Sequence, residues 1–164
     1  MNKIPIAHYW LAAASTGYAL PVDWIKWADQ IISRTNKPLD WIIEMSLSND
    51  LMMLRKAISL RIDQEDEATG KVISIEDAQV GFYFLMYKNH RLDINKFLNR
   101  VFEVAESGRS QLTPERVTCF MREERKEGNV DALNIDQELE SFGGLALSQW
   151  RFLQEVGDGR EEIA

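Results

Sequence analysis

Apolar residues recur three and four positions apart along nearly the whole chain, and that spacing leaves room for little except helices. Leu51, Leu54, Ile58 and Ile62 follow it, as do Ile94, Phe97, Leu98, Val101 and Ala105. Val117, Phe120 and Met121 continue the pattern, and so do Ala132, Ile135, Leu139 and Phe142. At 3.6 residues per turn each set falls on one side of a helix and gives it a single apolar face. Sustained alternation with β-branched enrichment, the mark of a strand, is missing. Residues 72–75 come nearest to it and read better as the lead into a helix.

Start and stop signals divide this pattern into pieces. Pro21, Pro38 and Pro114 sit where a first helical turn tolerates proline, and Ser74 with Asp77 reads as a capping box. Gly108, Gly128 and the pair Gly143-Gly144 read as C-terminal stops. The spacing predicts helices over 22–35, 39–47, 50–65, 75–89, 94–107, 114–127, 131–142 and 147–156, with a further segment at 4–14. Residues 82–87 are apolar on every side, so the helix holding them should be the most enclosed. The segment Pro21-Val22-Asp23-Trp24-Ile25 recurs as Pro38-Leu39-Asp40-Trp41-Ile42, which reads as two helix starts built from the same chemistry. A chain of 164 residues with 45% hydrophobic side chains can bury a core of its own. The expected fold is all-α, a single-domain multi-helix bundle of about eight helices over 1–157, with a flexible acidic tail at 158–164.

The usual signatures of catalysis are not spelled out. There is no Gly-x-Ser-x-Gly elbow, and Gly70-Lys71 lacks the upstream glycine of a phosphate-binding loop. Cys119, the only cysteine, lies beside Phe120 and Met121 and reads as a structural thiol. His8 and His90 lie outside any metal-binding spacing; His90, between Lys88 and Arg91, suits a cationic helix end. The acids Asp63, Glu65, Asp66 and Glu67 lack the glycine and the terminal glutamate of a calcium loop, so a solvated loop is expected there. No cofactor or metal is expected, and the chain is not read as an enzyme. Glu103 and Glu106 share a helix face and keep a metal-dependent hydrolase as a third reading.

Charge is the one functional lead. Residues 1–126 balance 17 acids against 17 bases, whereas residues 127–164 hold nine acids and two bases, which is the whole net charge of −7. An acidic surface repels nucleic-acid phosphates and anionic membranes and attracts a basic protein. On the predicted helix at 131–142, Asp131 and Glu138 flank one side of the apolar stripe, and Asp136 and Glu140 flank the other. Of the five tryptophans, Trp10, Trp24, Trp27 and Trp41 suit the core; Trp150 follows the acidic helix and is the best interface candidate, with core as its ordinary reading. The apolar N-terminal stretch is broken by Pro5, His8 and Tyr9 and reads as core rather than as a leader. The longest uninterrupted apolar run elsewhere, residues 82–87, is far short of the roughly 20 residues that span a bilayer.

The stretch Pro38-Leu39-Asp40-Trp41-Ile42-Ile43-Glu44-Met45-Ser46-Leu47-Ser48 resembles a segment of small helical bacterial proteins encoded beside secreted or contact-delivered toxins. That resemblance implies a cytoplasmic immunity protein that binds a cognate toxin domain and occludes its active site. Many such toxins are nucleases with basic clefts, a match for an acidic inhibitor. The charge pattern, rather than the resemblance, makes Asp131, Asp136, Glu138, Glu140 and Trp150 the expected partner-binding residues, and a helical adaptor or oligomeric subunit is the alternative.

Overall fold

Capping chemistry sets where the helices begin. The structure, a computed structural model, describes residues 4–127 and 132–163. It contains α1 (Ile6–Ser15), α2 (Pro21–Arg34), α3 (Asp40–Ser46), α4 (Leu51–Thr69), α5 (Glu76–Lys88), α6 (Ile94–Glu106), α7 (Pro114–Glu127) and α8 (Ala132–Gly157). Among the described residues the fold is all-α and has no strand. Asp50 accepts the Met53 N–H at 2.8 Å and Asp93 the Lys96 N–H at 2.8 Å, satisfying donors that a helix start leaves open. In α2, Pro21 takes the first position and Asp23 reaches back to the Leu20 N–H at 2.8 Å. The echoed segment also starts a helix, but shifted: Pro38 stays outside α3 and Asp40 opens it. Both tryptophans turn inward.

Two boundaries depart from the sequence reading. The capping box at Ser74 does not form: α5 starts at Glu76, whose carboxylate takes the Ser74 hydroxyl at 2.6 Å. Asp77 instead accepts the Ser110 hydroxyl at 2.7 Å and the Gln111 N–H at 2.8 Å, tying down the loop after α6. The glycine pair Gly143-Gly144, expected to end a helix, lies within α8, so the predicted helices at 131–142 and 147–156 are one. The physical reason is close packing. A Cβ on Gly81 of α5 would collide with the Phe142 carbonyl, and one on Gly143 would lie 2.7 Å from the Phe84 ring. Glycine serves here to let α5 and α8 approach, at the propensity cost a helix interior tolerates.

By its contacts the chain forms two compact units, residues 1–73 with 149–164, and residues 74–148. Residues 132–148 of α8 belong to the second unit and residues 149–157 to the first. The core of the second unit gathers Val80, Phe97, Leu98, Val101, Val117, Phe120, Ile135 and Leu139, each almost fully enclosed. Each such aliphatic or aromatic side chain contributes about 1.5–3 kcal/mol relative to exposure. Within it Tyr87 stacks on Phe97 at 4.9 Å between centroids. The helix that is apolar all round buries Val80, Phe82, Phe84 and Met86 on more than one side, as its composition predicts.

The first unit is organised by aromatics. Trp10 meets Trp27 edge-on at 5.3 Å and Trp150 at 5.7 Å, and Trp27 lies 6.1 Å from Trp41. The Trp27 indole donates to the Leu153 carbonyl at 2.7 Å, and the Trp24 indole to the Ser48 carbonyl at 2.8 Å. At the end of α8, Gly159 has a φ of 79° and the Arg160 N–H returns to the Glu155 carbonyl at 2.9 Å. That is a left-handed C-terminal cap. The Arg34 guanidinium covers the carbonyls of Val156 at 2.9 Å and of Gly157. The expected tail at 158–164 is therefore held at its beginning. Among the described residues no helix is long and apolar enough to cross a membrane.

Candidate functional site

In the second unit the first half of α8 carries the carboxylates that the charge pattern singled out. Ile135 and Leu139 are fully buried and anchor this part of the helix, which sends its acids to either side. Asp136 accepts the Lys88 ammonium of α5 at 2.7 Å, and the same hydrogen bond holds that ammonium above the ordinary lysine range. Glu138 pairs with the Arg116 guanidinium of α7, whose Nε donates at 2.6 Å. Glu140 is exposed. The two-sided display read from the helical wheel is present for these three, and two of them already have a basic neighbour. Asp131 lies outside the described residues.

Trp150 is half-buried in the first unit, held edge-on by Trp10 at 5.7 Å and by Tyr18 at 5.2 Å. Its ring is thus packed by its own chain on two sides.

The expected solvated loop at Asp63–Glu67 is the last part of α4, and one of its acids is buried. Pro5 precedes α1 and offers no side-chain cap, which leaves the N–H groups of Ala7 and His8 in need of an acceptor. Glu65 supplies it, accepting Ala7 at 2.6 Å and His8 at 3.4 Å. A carboxylate at the positive end of a helix is stabilised there even when enclosed. The His8 ring lies against both acids, its Nε2 3.0 Å from Asp66 and its Nδ1 3.6 Å from Glu65. Asp66 also accepts the Ile73 N–H at 2.7 Å. The neighbouring Tyr9 phenol is pushed above its ordinary pKa, first by burial and then by the negative charge of Glu65. With His8 and Glu65 sealed from solvent, this cluster clamps α1 to α4. The sequence contains no local signal for it, because the acceptor and its donors are 57 and 58 positions apart.

Glu103 and Glu106 are exposed on α6, and Glu103 lies 3.8 Å from Arg100. Among the described residues no three His, Cys, Asp or Glu side chains gather as metal ligands. Cys119 is a free, half-buried thiol on α7.

An apolar surface lies at α3. Trp41, Ile42 and Met45 face inward, but Leu39, Ile43 and Leu47 are 45%, 38% and 66% exposed. Of the exposed three only Ile43 lies within α3; Leu39 is its N-cap, in extended backbone, and Leu47 its C-cap. Leu39 also forms part of the wall of a cleft of about 450 Å³, together with Ile31, Ile42 and Val156, and with Lys37 and Glu161 among its charged residues. Comparison with protein-family models, with curated proteins and with solved structures finds no match for this chain.

Proposed function

We propose that this chain is a bacterial immunity protein, a binder that occludes the active site of a cognate toxin domain in the cytoplasm and turns nothing over. The observation that carries the reading is the display of Asp136, Glu138 and Glu140 on a helix whose inner face, Ile135 and Leu139, is fully buried. Carboxylates displayed along both shoulders of a helix raise the rate of encounter with a basic surface and disfavour wrong partners. The ion pairs to Lys88 and Arg116 do not remove that capacity. All four side chains are 35–47% exposed, and surface pairs of this kind contribute about 0–1 kcal/mol. A toxin's own bases can replace Lys88 and Arg116 at small cost. Asp131 completes the proposed set, and Trp150, which belongs to the first unit, is proposed as a partner contact in its own right. A nuclease with a basic substrate cleft is the partner class that this charge suits.

The test is titration of the chain with the protein encoded beside it. Reversal of Asp131, Asp136, Glu138 and Glu140 to Lys is expected to weaken association markedly, with Glu140→Lys alone doing so without touching an internal pair. Affinity unchanged in both variants, with melting temperatures preserved, removes α8 from the interface.

A further inference from the structure

We propose that the outer face of α4 is a self-association surface, on which a second copy of this chain lies antiparallel across a two-fold axis at Leu60. The proposal goes beyond the immunity reading and does not depend on it. Leu54, Ala57 and Ile58 turn one side of α4 into the core. Along the other side Met53, Lys56, Leu60, Asp63 and Glu67 recur at alternating three- and four-residue intervals, and all five are exposed. That is the spacing of a helix-pairing seam, with Met53 and Leu60 as its apolar positions. Leu60 is 67% exposed, and Met52, on the shoulder of the seam, 80%.

The charges on this face select the occupant. The exposed bases of α4, Arg55 and Lys56, come before Leu60, and its exposed acids, Asp63 and Glu67, come after it. None of the four has an ion pair among the described residues. The other ionisable groups of the helix are already used: Glu65 caps α1, Asp66 meets His8, and Arg61 lies over the Trp41 ring. The order of the four works against the isolated helix. Asp63 and Glu67 are a like-charge pair four residues apart, and Glu67 stands in the last turn, at the negative end of the dipole. A base brought in from outside relieves both. A two-fold axis at Leu60 exchanges position 56 with 64 and position 53 with 67. It lays Lys56 of each copy beside Asp63 and Glu67 of the other, and brings the two Leu60 side chains together. Asp50, which opens the helix, and Lys71, just past its end, exchange in the same sense. A partner with a wholly basic or wholly acidic face would meet like charge at one end of α4 or the other. The chain's own α4, reversed, meets unlike charge at both. The contact covers one helix face, which places the dimer among the small, transient interfaces.

The experiment is sedimentation equilibrium of the intact chain at low and high salt. The expected result is a monomer–dimer equilibrium with a dissociation constant in the micromolar range that weakens as salt rises. Leu60→Asp is expected to weaken it at least about tenfold, and so are Lys56→Glu alone and Asp63→Lys/Glu67→Lys alone, each of which sets like charges opposite one another. An equimolar mixture of the last two variants is expected to regain the parent's affinity, because unlike charges then face each other at both contacts. That recovery is something misfolded variants would not show. Glu140→Lys is expected to leave dimerisation unchanged, which keeps the result separate from the α8 reading. A chain that stays monomeric into the millimolar range would overturn the proposal. So would a dimer indifferent to Leu60→Asp, or a mixture that associates no better than its components.

Discussion

The carboxylate of Glu65 accepts the Ala7 N–H at 2.6 Å and so caps α1 from a helix 58 positions away. Truncating it leaves the N–H groups of Ala7 and His8 without their acceptor inside the protein and takes from His8 one of its two acidic neighbours. Glu65→Ala is expected to cost about 3 kcal/mol, the range for losing a buried, charge-assisted hydrogen bond. Glu65→Gln keeps one acceptor oxygen and is expected to lose less. Urea unfolding of both variants checks the order; equal stability to the parent would show that water replaces the cap.

Gly81, where α5 meets α8, and Gly144, which faces open space, predict opposite results from the same chemical change. Gly81 has no room for a methyl group, because its Cβ would run into the Phe142 carbonyl and the Ala146 side chain. Gly144 lies inside α8 with nothing within 4 Å of a Cβ. Gly81→Ala is expected to destabilise by about 3 kcal/mol through overpacking. Gly144→Ala is expected to stabilise by up to about 1 kcal/mol through helix propensity and reduced freedom of the unfolded chain. Thermal denaturation of the pair checks the opposite signs.

Two phenols should make stability fall at high pH. Tyr9 and Tyr83 are both raised above the ordinary 10.0, each chiefly by burial; Glu65 adds to the rise at Tyr9, while at Tyr83 Arg100 lowers it and Glu103 raises it. The folded chain therefore keeps these protons to higher pH than the unfolded chain does. Their contribution is complete below the unfolded value and declines as pH rises past it. Stability is expected to be insensitive to these groups below about pH 10 and to drop beyond it, less steeply in Tyr9→Phe. Ultraviolet titration of the phenolates, compared with the denatured chain, gives the direction; coincident curves would contradict it.

Much of the fold was legible because helical spacing and capping are local properties. The starts of α4 and α6 fall within one residue of where the apolar spacing puts them, and Asp50 and Asp93 cap them. Gly143-Gly144 misled for a physical reason: the residue that ends a helix also lets two helices touch, and only the partner's position separates the uses. The run Asp63–Glu67 looks solvated in sequence because nothing nearby announces that Ala7 needs an acceptor. The apolar residues of α3 share a problem of their own. Leu39, Ile42, Ile43, Met45 and Leu47 are alike in composition, and spacing says which of them align but not which side is covered. The acids of α8 were legible as a display, whereas the bases that meet two of them, Lys88 and Arg116, come from other helices.

The most direct measurement is calorimetric titration of the chain with the protein encoded beside it, at two salt concentrations, with that protein's activity followed in parallel. The account predicts a one-to-one complex of about nanomolar affinity that weakens as salt rises and abolishes the partner's activity at equivalence. No complex at micromolar concentrations, with the partner's activity untouched, would contradict it.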